Sequence, residues 1–172
     1  GIASFFGIGY SLIGAFILLP FLLNKLYWHE RKVSKKSSWK KRVLARYKNI
    51  EAYPRLFARF KIAFDSMFTE LYQFMNTSQT IKYIMDIGCG FAVPSCAILE
   101  WFPQSYIYCI EPNWERCRVA SRALGTRGLV KCNAAPHVPN ITEPIDATLM
   151  LDMLHYIDDE TLYELLNKTF HL

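Results

Sequence analysis

The stretch YIMDIGCG, Tyr83 to Gly90, is an apolar run that ends in an acid and then breaks into two glycines around one small residue. A short apolar run closed by glycines reads as a buried parallel strand that delivers a loop to the edge of a sheet. Gly88 and Gly90 let the backbone turn tightly and come close to a ligand, because neither carries a Cβ. A dinucleotide fingerprint would continue as Gly-x-Gly-x-x-Gly, but Val93 stands at the third glycine position and Pro94 follows it. The carboxylate of Asp86 would repel a pyrophosphate, whereas it suits a ligand that carries an ammonium or a sulfonium. Cys89, between the glycines, either contacts such a ligand or packs inward.

Outward from this loop the pattern alternates. A helix over Val93 to Trp101 stops before Pro103, where the ring and the missing N–H end it. SYIYCIEP, Ser105 to Pro112, is a second β-rich run, and it ends in Glu111, a carboxylate placed to accept hydrogen bonds from two ribose hydroxyls. Asn113 caps the next helix and Gly125 ends it. A third run, Gly128 to Cys132, leads to Asn133 and Ala134, where an amide side chain and a backbone N–H can read an adenine edge. A fourth run, Ala147 to Leu151, precedes a helix capped by Asp158 or Asp159, with a stripe of Leu162, Leu165, Leu166 and Phe170.

From Ile81 onward these residues resemble a class I S-adenosylmethionine-dependent methyltransferase, the resemblance resting on Asp86, Gly88, Gly90 and Glu111 at this spacing. It implies an α/β fold, a Rossmann-like methyltransferase sheet truncated after four strands and preceded by helices. It implies S-adenosyl-L-methionine as cofactor, held by Asp86, Gly88, Cys89, Gly90, Glu111, Pro112, Asn133, Ala134 and Asp152. Methyl transfer needs chiefly alignment of the acceptor, and a base only where the nucleophile must lose a proton. LDMLHYIDD sets Asp152 and His155 at the carboxyl end of the fourth strand. His155 either deprotonates an acceptor or is hydrogen-bonded within its turn, and Asp152 either contacts the methionine end of the cofactor or satisfies turn amides.

The chain has 172 residues, 52% of them hydrophobic, yet residues 1–24 hold no charge at all. At 1.5 Å per residue such a run spans roughly 36 Å, against about 30 Å for a hydrocarbon core, so Ile2 to Leu23 is expected to be a transmembrane helix. A signal peptide would begin with positive charge and end at a small-residue cleavage site, and neither is present. Ten of the 20 Lys and Arg residues fall between Lys25 and Lys48, against the single acid Glu30. That asymmetry puts the following domain on the cytoplasmic side of the inner (plasma) membrane and explains the net charge of +5 by anionic membrane lipid, with no nucleic acid as partner. Tyr27, Trp28 and Trp39 fit a headgroup boundary. Five cysteines without a CxxC pair give no metal site, and Cys96, Cys109 and Cys117 read as small buried hydrophobes.

The organisation expected is a transmembrane helix at 1–24, a basic juxtamembrane connector at 25–40, a helical cap region at 41–78 and an incomplete methyltransferase domain at 79–172. In the cap region Leu56, Phe60, Ala63, Phe64, Met67, Phe68 and Leu71 form one helical stripe after Pro54. It either packs on the α/β unit or roofs the site, with Tyr47, Tyr53 or Arg59 facing the pocket. GIGYSLIGAFILLPFLLNKL is similar to the last membrane helix of MMPL-type transporters of the RND superfamily, which implies a larger transporter chain continuous with this one. The function implied is methyl transfer to a small-molecule acceptor, lipophilic or carrier-bound. The alternatives are a domain that senses S-adenosylmethionine without catalysis and a bare interaction module.

Overall fold

The computed structural model describes residues 38–76 and 81–170. Three helices come first: α1 (Trp39–Arg46), α2 (Ala52–Phe64) and α3 (Met67–Met75). Then strands and helices alternate as β1 (Tyr83–Ile87), α4 (Val93–Trp101), β2 (Tyr106–Ile110), α5 (Trp114–Leu124), β3 (Gly128–Lys131), β4 (Ala147–Leu149) and α6 (Asp159–Phe170). Among the described residues no helix is long and apolar enough to cross a membrane. The span expected at 2–23, its resemblance to a transporter helix, and Tyr27 and Trp28 all lie outside the described residues.

All strand pairs are parallel, in the order β3-β2-β1-β4. The chain steps outward from β1 to β2 and β3, then returns to lay β4 on the other side of β1. Ligands of open α/β sheets bind at such a reversal, outside the carboxyl ends of the strands. Pairing sets Ile87 beside Ile110 and Ile110 beside Lys131, so the loops after the three strands leave the sheet side by side.

Strand alternation divides the core. Ile84, Ile107 and Cys109 face a layer that includes Val43, Tyr47, Ala58, Ile62, Phe68, Ile98 and Leu124, whereas Met85, Ile87 and Ile110 face Leu165 of α6 and the loop residues Ala135, Val138 and Ile141. The expected ends hold locally. The Asn113 side chain accepts from the Arg116 N–H at 3.1 Å, Gly125 ends α5 at φ 63°, and Asp158 accepts from the Thr161 N–H at 2.8 Å. α4 covers Val93–Trp101, as its Pro-bounded sequence requires.

Three expectations for the N-terminal helices are corrected. Trp39 packs inside, edge-on to Trp101 with ring centroids 5.0 Å apart, rather than at a lipid boundary. Several cations of the Lys25 to Lys48 stretch serve the fold: Arg42 and Arg46 both bind the Glu100 carboxylate, at 2.6 and 2.8 Å, and Lys40 donates to the Ile62 carbonyl at 3.1 Å. α2 buries Pro54, Ala58 and Ile62, while Leu56, Phe60 and Phe64 of the expected stripe are exposed. Close approach to α4 and α1 selects the narrow small-residue face and turns the aromatic face outward.

Candidate functional site

The loop after β1 is wound left-handed at alternate residues, with φ of 76° at Gly88, 57° at Gly90 and 57° at Ala92. Ala92 takes the place of a third alternating glycine, a spacing of two that the Gly-x-Gly-x-x-Gly comparison passes over. The two glycines do different work. A Cβ on Gly88 would lie 2.8 Å from Met153 Cβ, so this glycine is required by the chain that follows β4. A Cβ on Gly90 would meet nothing within 4 Å, so here the backbone borders open space at the carboxyl edge of the sheet.

Four of the loop's amides are committed to the protein. Gly88 and Cys89 N–H donate to the Ile110 carbonyl at 2.8 and 3.2 Å, Gly90 N–H to Glu111 Oε2 at 2.9 Å, and Ala92 N–H to the Cys89 carbonyl at 2.8 Å. Pro94 at the start of α4 has no N–H to give. Donors of this kind contribute to a phosphate cradle. Their use elsewhere withdraws these four donors from any phosphate.

Glu111 is 3% exposed and accepts from both Gly90 N–H and, through Oε1, Asn113 N–H at 3.1 Å, with Arg116 Nη1 4.0 Å away. It therefore braces the glycine loop. Each carboxylate oxygen keeps a further lone pair, the capacity that hydroxyl donors would use. Asp86 lies beneath the loop at 1% exposure, and the Ser95 hydroxyl donates to its Oδ2. Burial, opposed by the Ser95 hydrogen bond and reinforced by the charge of Glu111, raises its pKa to about 6.

The N-terminal helices hold the loop from below. Tyr47, expected to face the pocket, is fully buried and donates its hydroxyl to the Phe91 carbonyl at 2.6 Å. Tyr53 is exposed, its ring 5.9 Å from that of Phe91, and Arg59 is exposed on α2. Cys89 packs inward: it is 6% exposed, and a hydrogen bond with Cys109 together with burial pushes its thiol pKa up. Cys96, Cys109 and Cys117 are buried as expected.

Above the loop the rim is solvent-facing. Asp152 adopts φ 58° and its exposed carboxylate receives the Lys61 ammonium at 2.9 Å, α2 thus reaching the end of β4. His155 lies in a 3-10 turn, Leu154–Tyr156, exposed and with its ring 3.9 Å from that of Tyr156. Pro112, Asn133 and Ala134 are exposed beyond β2 and β3. The structure thus brings Asp86, Gly88, Cys89, Gly90 and Glu111 into one packed unit, and leaves Asn133, Ala134 and His155 at its margins. Sequence reasoning missed Tyr47 as a loop support, Ser95 as the partner of Asp86, and Lys61. The first two are joined to the loop by folding alone, and Lys61 is 91 positions from Asp152 along the chain.

No family model matches the chain, and no curated protein matches it. Among solved structures it is similar to the plantazolicin methyltransferase BpumL in complex with a pentazolic desmethylPZN analog and SAH, at 20% identity over 89% of this chain and 53% of that one, with a TM-score of 0.49. The complex of the same enzyme with a triazolic analog and SAH matches at 18% identity over 75% of this chain and 54% of that one, also at 0.49. The complex with SAH alone gives 16% identity and 0.42 over 63% of this chain and 45% of that one. This chain spans about half the length of these structures. At TM-scores below 0.5 the likenesses bear no weight on its chemistry, and the firm description is of an α/β fold with a four-stranded parallel sheet.

Proposed function

We propose that the α/β unit binds S-adenosyl-L-methionine at the carboxyl ends of β1 and β2 and directs its methyl group to a small, lipophilic or carrier-bound acceptor. One observation carries this reading: the glycine loop opens to solvent at Gly90 while the N–H groups of Gly88, Cys89, Gly90 and Ala92 are spent within the protein and its neighbours are carboxylates. Such an edge favours a ligand with a cationic end and ribose hydroxyls over one with a pyrophosphate. Gly88, Cys89 and Gly90 shape the floor, Asp86 and Glu111 supply negative charge, and Pro112, Asn133, Ala134 and Asp152 border the space.

When bound, S-adenosylmethionine supplies a methyl carbon already activated by its sulfonium. What remains for the chain is to bind, to orient the acceptor and to exclude water. His155 at the rim is placed to take a proton from a hydroxyl or phenol acceptor at its imidazole nitrogen, and Asp152 to orient the reacting groups. In the same reading residues 2–23 tether the domain to the inner (plasma) membrane with the site on the cytoplasmic side, behind the last helix of an MMPL-type transporter.

A second reading, cofactor sensing without turnover, draws on the rim. Lys61 occupies Asp152, and among the described residues no hydrogen bond orients the His155 ring. Calorimetric titration of the full chain in detergent with S-adenosylmethionine, S-adenosylhomocysteine and NAD tests the first step. The two adenosyl ligands should bind and NAD should not; preference for NAD would overturn the proposal. Transfer of labelled methyl into a lipid and phenol extract then separates catalysis from sensing.

A further inference from the structure

α2 carries two apolar faces where its packing needs one. The inner face, Pro54, Ala58 and Ile62, is small and buried. The outer face holds Tyr53, Leu56, Phe57, Phe60 and Phe64, at positions i, i+3, i+4, i+7 and i+11 of one helical stripe. Their exposures run from 38% at Phe57 to 69% at Tyr53. Single exposed apolar side chains are ordinary, but five large ones contiguous on one helix mark an interaction surface. Arg59, exposed, borders the stripe on the Leu56 side.

We propose that this outer face of α2 docks on an anionic bilayer, the aromatic rings entering the boundary between headgroups and acyl chains and Arg59 at its edge meeting lipid phosphates. An amphipathic helix with Phe and Leu on one side and an arginine at the edge of that face has the composition of an interfacial helix. Two features of the chain favour lipid over a second copy as the occupant. Residues 1–24 are free of charge and long enough to span a bilayer, and exposed cations such as Lys41 and Lys48 precede α2 in the basic stretch that follows. The inference rests on that reading of residues 2–23 and is independent of the ligand assigned to the sheet edge. Its consequence is spatial: Lys61 on α2 bonds Asp152, and Phe57 packs on Phe91 at 5.3 Å, so docking would set the mouth of the candidate site at the lipid surface.

Membrane attachment by residues 2–23 would hide a contribution of α2, so the test reads local environment. In the full chain with Cys132→Ser, a spin label is placed by Phe60→Cys, or by Asn167→Cys on α6, which packs against the opposite face of the sheet. The protein is reconstituted into vesicles of phosphatidylcholine and phosphatidylglycerol. Relaxation at position 60 should be enhanced more by oxygen than by a water-soluble nickel chelate, with the reverse at position 167. Greater nickel access at position 60 would overturn the proposal. So would a label shielded from both reagents, which would mean a protein partner or second copy on that face. Failure of the chain to float with vesicles would overturn it together with the membrane span. Circular dichroism that matches the unlabelled protein excludes misfolding as the source of any of these results.

Discussion

The floor of the candidate site and its rim are built on opposite terms. On the floor, Asp86, Glu111 and Tyr47 are each 3% exposed or less, and each has a protein partner: Ser95, the amides of Gly90 and Asn113, and the Phe91 carbonyl. On the rim, His155, Asn133 and Ala134 are exposed and lightly held. A floor residue is tied into the fold, so changing it registers first in stability. A rim residue is free of the fold, so changing it registers in function or not at all.

The strongest way to break this contrast is at the glycines. Gly88→Ala should cost about 3 to 5 kcal/mol, because φ is 76° and the new Cβ would meet Met153 at 2.8 Å. Gly90→Ala, in open space, should cost only the left-handed strain of about 1–2 kcal/mol. Urea denaturation of both variants measures the gap. Equal losses would mean that Met153 yields and that the floor is not packed as described.

The second test is pH. Folded Asp86 has its pKa raised from 3.8 to about 6, so it favours folding in its protonated form. The stability it contributes is full below pH 3.8 and is lost as pH rises through about 6. Other carboxylates run the opposite way: Glu100, bound by Arg42 and Arg46, has its pKa lowered and loses its contribution as pH falls. The difference between Asp86→Asn and wild type isolates Asp86. Asn should gain on Asp by up to about 3 kcal/mol between pH 4 and pH 7. A flat difference would mean that the carboxylate is solvated and belongs with the rim.

The same contrast governs what the sequence made legible. The strands, α4, the caps at Asn113 and Asp158 and the stop at Gly125 follow from local chemistry, and they appear within a few residues of where that chemistry puts them. β4 ends at Leu149 rather than Leu151, because only Ile84, Met85 and Asp86 of β1 pair with it. The partners of the floor residues were not legible, since Tyr47 reaches Phe91 across 44 positions and sequence spacing carries no trace of that contact. α2 misled for another reason. Its strongest stripe is the aromatic one, and periodicity reports that a face is apolar without saying what it is apolar toward.

Tyr47→Phe refines the floor by removing one atom. The Phe91 carbonyl would lose a 2.6 Å hydrogen bond, at an expected cost of about 1–2 kcal/mol. Tyr53→Phe, where the side chain is 69% exposed, should cost less than about 0.5 kcal/mol. Thermal denaturation resolves the two. If they match, the loop is not braced from α1.

The smallest expected effect on stability is at His155, and it divides the two functional readings. The imidazole is exposed and contacts the Tyr156 ring, so His155→Ala should leave stability within about 0.5 kcal/mol of wild type. Cofactor affinity should also hold, since His155 lies outside the packed unit that frames Gly90. If His155 takes the acceptor proton, methyl transfer should fall about a hundredfold or more, and the acid limb of the rate–pH profile should disappear with the imidazole. His155→Gln, which keeps a hydrogen-bonding side chain without a titrating base, should restore neither. An unchanged rate and profile would leave alignment as the sole contribution of the chain, and a protein that binds cofactor with no measurable transfer in either form would be a sensor. A loss of stability above about 1 kcal/mol would instead move His155 from the rim to the floor.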